Sequence, residues 1–230
     1  MKKFIGPLLF LIPVLTFAQT SVDLIWEAKT YTPAFYRGRS LPTAESLVRV
    51  VAMTPIKNPI FHWRKDGLDI KSASGAGKNT FDYRAASTPG GANLIQVSVT
   101  GPDGSVAAAA AVRIPVVTPK ITFYEVRDGQ IDYRHALKNL NIATDQTKVI
   151  AEPFYFSLTD WLNRRLIFNW SANSQPIAPA AEDPRFLTLL TKADASGENL
   201  INLKITNAEH PLQTATAKLP VSFGRTGFEF

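Results

Sequence analysis

The sequence predicts an all-β chain built as two tandem β-sandwich modules, and three internal echoes carry that prediction. Phe61-His62-Trp63 returns 107 residues later as Phe168-Asn169-Trp170. Asn93-Leu94-Ile95 returns 106 residues later as Asn199-Leu200-Ile201. Val112-Arg113-Ile114-Pro115-Val116 returns 105 residues later as Ala217-Lys218-Leu219-Pro220-Val221. A near-constant offset over three separated segments marks a duplicated unit, and about one hundred residues is the size of a compact sandwich. The expected organisation is residues 1–19 as a signal peptide, 20–116 and 120–230 as modules, and 117–119 as the linker.

The first element is the leader. Met1-Lys2-Lys3 is a short basic start, followed by an apolar run from Phe4 to Phe17. Thr16-Phe17-Ala18 then places small residues where a signal peptidase reads them, the three-part layout of a secretory signal. The apolar run falls short of the roughly twenty residues a spanning helix needs, and Pro7 and Pro13 weaken it as an anchor. Cleavage after Ala18 or Gln19 leaves no stable membrane span, whereas an uncleaved peptide would tether the chain. The expected location is extracytoplasmic: periplasm, cell surface or medium.

Composition narrows the function classes. The 25 Lys and Arg residues stand against 19 Asp and Glu, and losing Lys2 and Lys3 lowers the formal charge from +6 to about +4. The bases are scattered, so there is no basic face carrying aromatics for nucleic acid. With no cysteine in the chain, no disulfide framework or lipid-modified cysteine is available. Each module must be held by its own apolar core, which about one hundred residues can supply.

Period-two alternation places the strands. Ile95, Val97 and Val99 share one side, with Leu94, Gln96 and Ser98 on the other; in the second copy Ile201, Leu203 and Ile205 face in. A turn follows each, Gly101-Pro102-Asp103-Gly104 or Asn207-Ala208-Glu209-His210-Pro211, and a returning strand closes an antiparallel hairpin. Upstream, Phe61 and Trp63, and in the second copy Phe168 and Trp170, point inward as core residues. A tryptophan on a central strand fills the space between sheets when no disulfide crosses it. Further strands are expected at 22–30, 47–53 and 80–84, with counterparts at 120–126, 148–151 and 186–190. Residues 133–140 read as a helical turn or two. Pro115-Val116-Val117-Thr118-Pro119 reads as an extended, semi-rigid connector.

Phe61-His62-Trp63-Arg64-Lys65-Asp66-Gly67 resembles the Trp-containing strand and turn of bacterial Ig-like and PKD-type surface modules. The Asn-Leu-Ile hairpin strand, the Pro-Asp-Gly turn and the closing Arg113-Ile114-Pro115-Val116 add to the likeness. Trp26-Glu27-Ala28-Lys29-Thr30-Tyr31, Tyr36-Arg37 and Val50-Val51-Ala52 are similar to exported proteins of small-genome bacteria. The resemblance implies two Ig-like β-sandwich domains acting as spacers, adhesive domains or parts of surface assemblies. The second copy has Asn173-Ser174 where the first has Asp66-Gly67, so a calcium or ligand role for that turn is not implied.

Catalytic and metal chemistry find little support. His62, His135 and His210 lie in different elements with no metal-ligand spacing. No Gly-x-Ser-x-Gly elbow appears, and no catalytic residue, metal ligand or cofactor is assigned. Gly75-Ala76-Gly77-Lys78-Asn79-Thr80 mimics a phosphate loop, but Asn79 replaces the magnesium-binding hydroxyl and Ser72 the first glycine. Glu182-Asp183 and the Asp194/Glu198 pair offer few of the six to eight oxygens calcium takes.

Two features remain. Glu27 and Arg37 recur as Glu125 and Arg134, each arginine preceded by a tyrosine, Tyr36 or Tyr133, so a repeated ion pair is expected. Tyr31, Phe35 and Tyr36 beside Arg37 and Arg39 form a candidate binding surface able to stack on sugar rings, unless they cover an open end of the sandwich. Trp161, in an insertion the first copy lacks, joins them as a contact point. The resulting expectation is a non-enzymatic structural or adhesive protein of a bacterial envelope, binding another envelope protein or a surface polymer. The alternative is a glycan- or cell-wall-binding module; a hydrolase ranks behind both.

Overall fold

The computed structural model describes residues 21–224 except 87, 159–164, 179, 181 and 192–194. The signal segment 1–19, Trp161 and Asp194 lie outside the described residues. Every regular element that is described is a β-strand. The first half contains β1 (Asp23–Ala28), β2 (Leu47–Met53), β3 (Ile60–Lys65), β4 (Leu68–Asp69), β5 (Gly75–Ala76), β6 (Thr80–Arg84), β7 (Ala92–Thr100) and β8 (Val106–Pro115). The second contains β9 (Lys120–Arg127), β10 (Gln130–Leu137), β11 (Leu140–Ile142), β12 (Gln146–Phe154), β13 (Leu166–Ala172), β14 (Gln175–Ile177), β15 (Phe186–Leu190), β16 (Gly197–Asn207) and β17 (Thr214–Phe223).

Alternation explains how these strands face one another. In β2, Val48, Val50 and Ala52 are buried while Leu47, Arg49 and Met53 are exposed; β7 repeats the pattern with Ile95, Val97 and Val99 inside. Sheet β1-β2-β6 therefore closes on sheet β4-β3-β7-β8, and both supply one core reaching from Val22 to Val116. Sheets β10-β9-β12-β15 and β11-β17-β16-β13-β14 enclose a second core, from Ile121 to Val221. Two layers around one core is the sandwich architecture, and the chain builds it twice.

The tryptophans anchor both copies alike. Trp63 and Trp170 are 1% and 2% exposed. The indole N–H of Trp63 donates to the Lys78 carbonyl at 2.9 Å, and that of Trp170 donates to the Pro184 carbonyl at 2.9 Å. Burial without loss of the polar handle is what a large amphipathic ring requires. Phe61 is fully enclosed, whereas Phe168 is partly buried against its core.

The turn after each Trp strand is also shared. Asp66 and Gly67 have φ of 51° and 85°, and Asn173 and Ser174 have 47° and 71°. Both are two-residue turns with two left-handed positions, the twist that suits a tight hairpin. Asp66 accepts the Leu94 N–H at 2.8 Å, and Asn173 accepts the Leu200 N–H at 2.9 Å. Asp-Gly is replaced in the second copy, yet its geometry persists.

Residues 133–140 correct an expectation. They form the end of β10 and the start of β11, not a helical turn. Asp128 and Gly129, with φ of 50° and 75°, fold β10 back onto β9 as a hairpin, and the ladder overrides the local helical spacing. The register of β10 slips between Ile131 and Ala136, a bulge that turns Tyr133 toward the sheet face. The connector is likewise held down: Val116 is buried in the first core, and the Val117 N–H donates to the Pro42 carbonyl at 2.9 Å.

Candidate functional site

The segment 31–39 belongs to the connection between β1 and β2, and it leaves its own module. On β9 and β12, Ile121, Phe123, Val149 and Ala151 face the second core. Tyr124 pairs with Ile150 across those strands, and Glu152 and Phe154 continue the same opposite face. That outer face would meet water, but Tyr124, Ile150, Glu152 and Phe154 are all buried. The first module's loop covers it.

Phe35 stacks on Tyr133 with ring centroids 3.8 Å apart and meets Tyr124 and Phe154 edge-on. The hydroxyls of Tyr36 and Tyr155 share a hydrogen bond of 2.8 Å, and Tyr31 packs against the second core. Backbone bonds fix the approach: the Tyr31 N–H donates to the Phe156 carbonyl and the Tyr155 N–H to the Tyr31 carbonyl, both at 2.7 Å. The Thr43 hydroxyl donates to the Tyr155 carbonyl at 2.8 Å. Tyr155 is thereby held at φ 66°, a left-handed conformation that a bulky side chain adopts only when its surroundings impose it.

These aromatics are consequently a bracket between modules and not an open platform. The same segment's arginines stay outside: Arg37 is exposed, and Arg39 lies 4.5 Å from the Trp26 ring. The reason lies in the sheet, whose outer face offers a wide apolar surface that rings cover better than water does.

The repeated Glu–Arg pair is also corrected. Glu27 bonds Lys29 at 2.9 Å, Glu125 bonds Arg127 at 2.6 Å, and Arg134 bonds Asp132 at 3.0 Å. Residues two apart in extended chain share a face, so each of these charges finds a partner two positions away. Arg37 is carried away with the loop.

Beneath the bracket lies a polar cluster that spacing does not reveal. Glu152 is 1% exposed and accepts both contacts of 3.1 Å from Arg185 Nη1. The Tyr133 O–H donates to it at 3.0 Å, and Asp183 takes Arg185 Nη2 at 2.9 Å. Burial works against the Arg185 charge, but Asp183 and Glu152 outweigh it and hold the guanidinium above its ordinary value. Such a buried pair is tolerated only when its hydrogen bonds are met. Gln213, fully buried, is the second hidden element. Its Nε2 donates to the Ala44 carbonyl at 2.7 Å and to Ser157 Oγ at 2.6 Å, while its Oε1 accepts the Ser157 N–H at 2.8 Å.

The histidines stay apart: His62 lies by Thr100, His135 by Asp132 and His210 by Glu45. Among the described residues no three His, Cys, Asp or Glu side chains gather as metal ligands. In the loop that mimics a phosphate cradle, the Lys78 amine donates to the Ser72 carbonyl at 2.9 Å.

Another candidate surface is an edge of the first module. Over residues 108–114, β8 pairs only with β7 among the described strands. The ends of the two closing strands are covered alike: β11 flanks β17 only where Leu140, Asn141 and Ile142 meet Val221, Ser222 and Phe223, as Thr43 bridges Val117 just past β8. Along 108–114, Ala108 to Ala111 are all alanine, Arg113 is the sole charge, and the strand's proline, Pro115, comes only at its end. Edges are ordinarily blunted by lysines, prolines or covering elements, and 108–112 contains neither lysine nor proline.

Two Ig-like β-sandwiches in series is the class that these sheets and cores define. No protein-family model matches the sequence, and no curated protein matches it. Among solved structures, the chain is similar to Clostridium thermocellum CbhA fibronectin(III)-like modules, at 11% identity and a TM-score of 0.29, covering 90% of this chain and 97% of that one. It is similar to the mouse nectin-like molecule 4 ectodomain (13%, TM-score 0.31, 91% and 67% covered). The Ig1-2 module of the Drosophila receptor protein tyrosine phosphatase DLAR matches at 10% and 0.27, with 89% and 100% covered.

Proposed function

We propose that the chain is a non-enzymatic exported protein of a bacterial cell envelope, structural or adhesive, acting through contacts with other proteins. Residues 1–19 have the layout of a secretory leader, and 20–116 and 120–230 are its two modules, with 117–119 between them. The observation that carries the reading is the β8 edge. An unblunted run of strand backbone accepts an added strand, and main-chain hydrogen bonds then supply affinity. The bracket contributes by holding the modules together, so that a contact made at one module is transmitted to the other.

Hydrogen exchange tests this. The mature chain, residues 20–230, is mixed with an envelope fraction of the producing bacterium. Exchange at residues 108–113 is expected to slow, with 31–39 unchanged because that segment is already packed. Unaltered exchange at 108–113, or protection centred on 31–39, would overturn the reading.

A further inference from the structure

We infer that the partner seated on β8 is a second copy of this chain, its own β8 running antiparallel, so that two sheets join across a two-fold axis. The inference rests on the reading of β8 as a contact edge and names its occupant.

Self-pairing suits this strand in side chains, charge and closure. Ala108, Ala110 and Val112 lie toward the core and Ala109 and Ala111 lie outward and exposed. Antiparallel pairing centred on Ala110 sets Ala109 opposite Ala111 and Ala108 opposite Val112, so that small residues meet small residues, core rows stay in line with core rows, and the two Ala111 positions are diagonal neighbours on the exposed face. Bulky outward groups such as His62 and Arg64 stand on β3, two strands back from the edge. The strand's one charge, Arg113, sits near its end. An antiparallel arrangement sends the two arginines to opposite ends, whereas a parallel one would set them side by side.

Closure follows from symmetry: an isologous contact uses the same β8 edge of both copies, leaves neither of those edges free to add a third, and stops at two. One strand pair is a small interface, so the association is weak and concentration-dependent.

Sedimentation velocity of the mature chain from about 10 μM to about 1 mM tests it, using A111K, A111E and their equimolar mixture. Ala111 is exposed, so neither variant should change the melting temperature. The wild-type chain should self-associate, each variant alone about tenfold more weakly because like charges meet across the axis, and the mixture should recover wild-type association. A wild-type chain that stays monomeric throughout, or variants that associate as the wild type does, would overturn the second copy as partner. If the chain is monomeric yet envelope material slows exchange at 108–113, the contact edge stands and the homotypic partner falls. If neither occurs, both fall.

Discussion

In the first module the chain leaves β1 at Ala28, crosses onto its neighbour and returns as β2 at Leu47; in the second it leaves β9 at Arg127, turns at Asp128-Gly129 and adds β10 and β11 to its own sheets. The same connection in the same plan thus serves opposite ends. One copy uses it to close its own edge, the other to cover its partner's outer face. A trace of common design survives: Thr43 bridges Val117 in parallel, as Asn141 does Ser222. Each module therefore covers the end of its last strand with a short parallel partner, and leaves 108–114 of β8 and 214–220 of β17 with one partner strand each among the described residues. What differs is the rest of the connection, a hairpin strand in one copy and the 31–39 bracket in the other.

The shared half of the comparison can be broken hardest at the indoles. Trp63→Ala and Trp170→Ala should each cost about 3–5 kcal/mol, with similar losses because burial and the N–H bond match. A difference of several kcal/mol in chemical denaturation would show that the two cores are not equivalent. The turns sharpen it at smaller scale. Ser174 stands at φ 71° where the first copy has glycine. Ser174→Gly should therefore stabilise by up to about 1 kcal/mol and Gly67→Ala destabilise by a similar amount. Opposite signs in urea midpoints would mean that the turns differ in more than sequence.

What could be read from the sequence was what repeats locally. The strands expected at 47–53, 80–84 and 186–190 coincide with β2, β6 and β15, because period two and burial agree there. The paired tryptophans were legible for the same reason. Glu152 left only a faint sign, a lone carboxylate in the apolar run from Val149 to Phe154; Arg185 is 33 residues away, and nothing local names it. Gln213 reaches Ala44 across 169 residues. Phe35 and Tyr36 were visible as aromatics, but the surface they cover is set by the neighbouring module. The Glu–Arg recurrence misled because a repeated spacing does not compete with a partner two residues away. The five alanines of β8 carry no period at all, and their meaning comes only from the sheet edge they occupy.

Calorimetry of the mature chain tests the bracket most directly. With segment 31–46 and Gln213 binding the modules together, a single cooperative transition is predicted, its van't Hoff and calorimetric enthalpies equal. Two separate transitions, each with the enthalpy of one module, would contradict it.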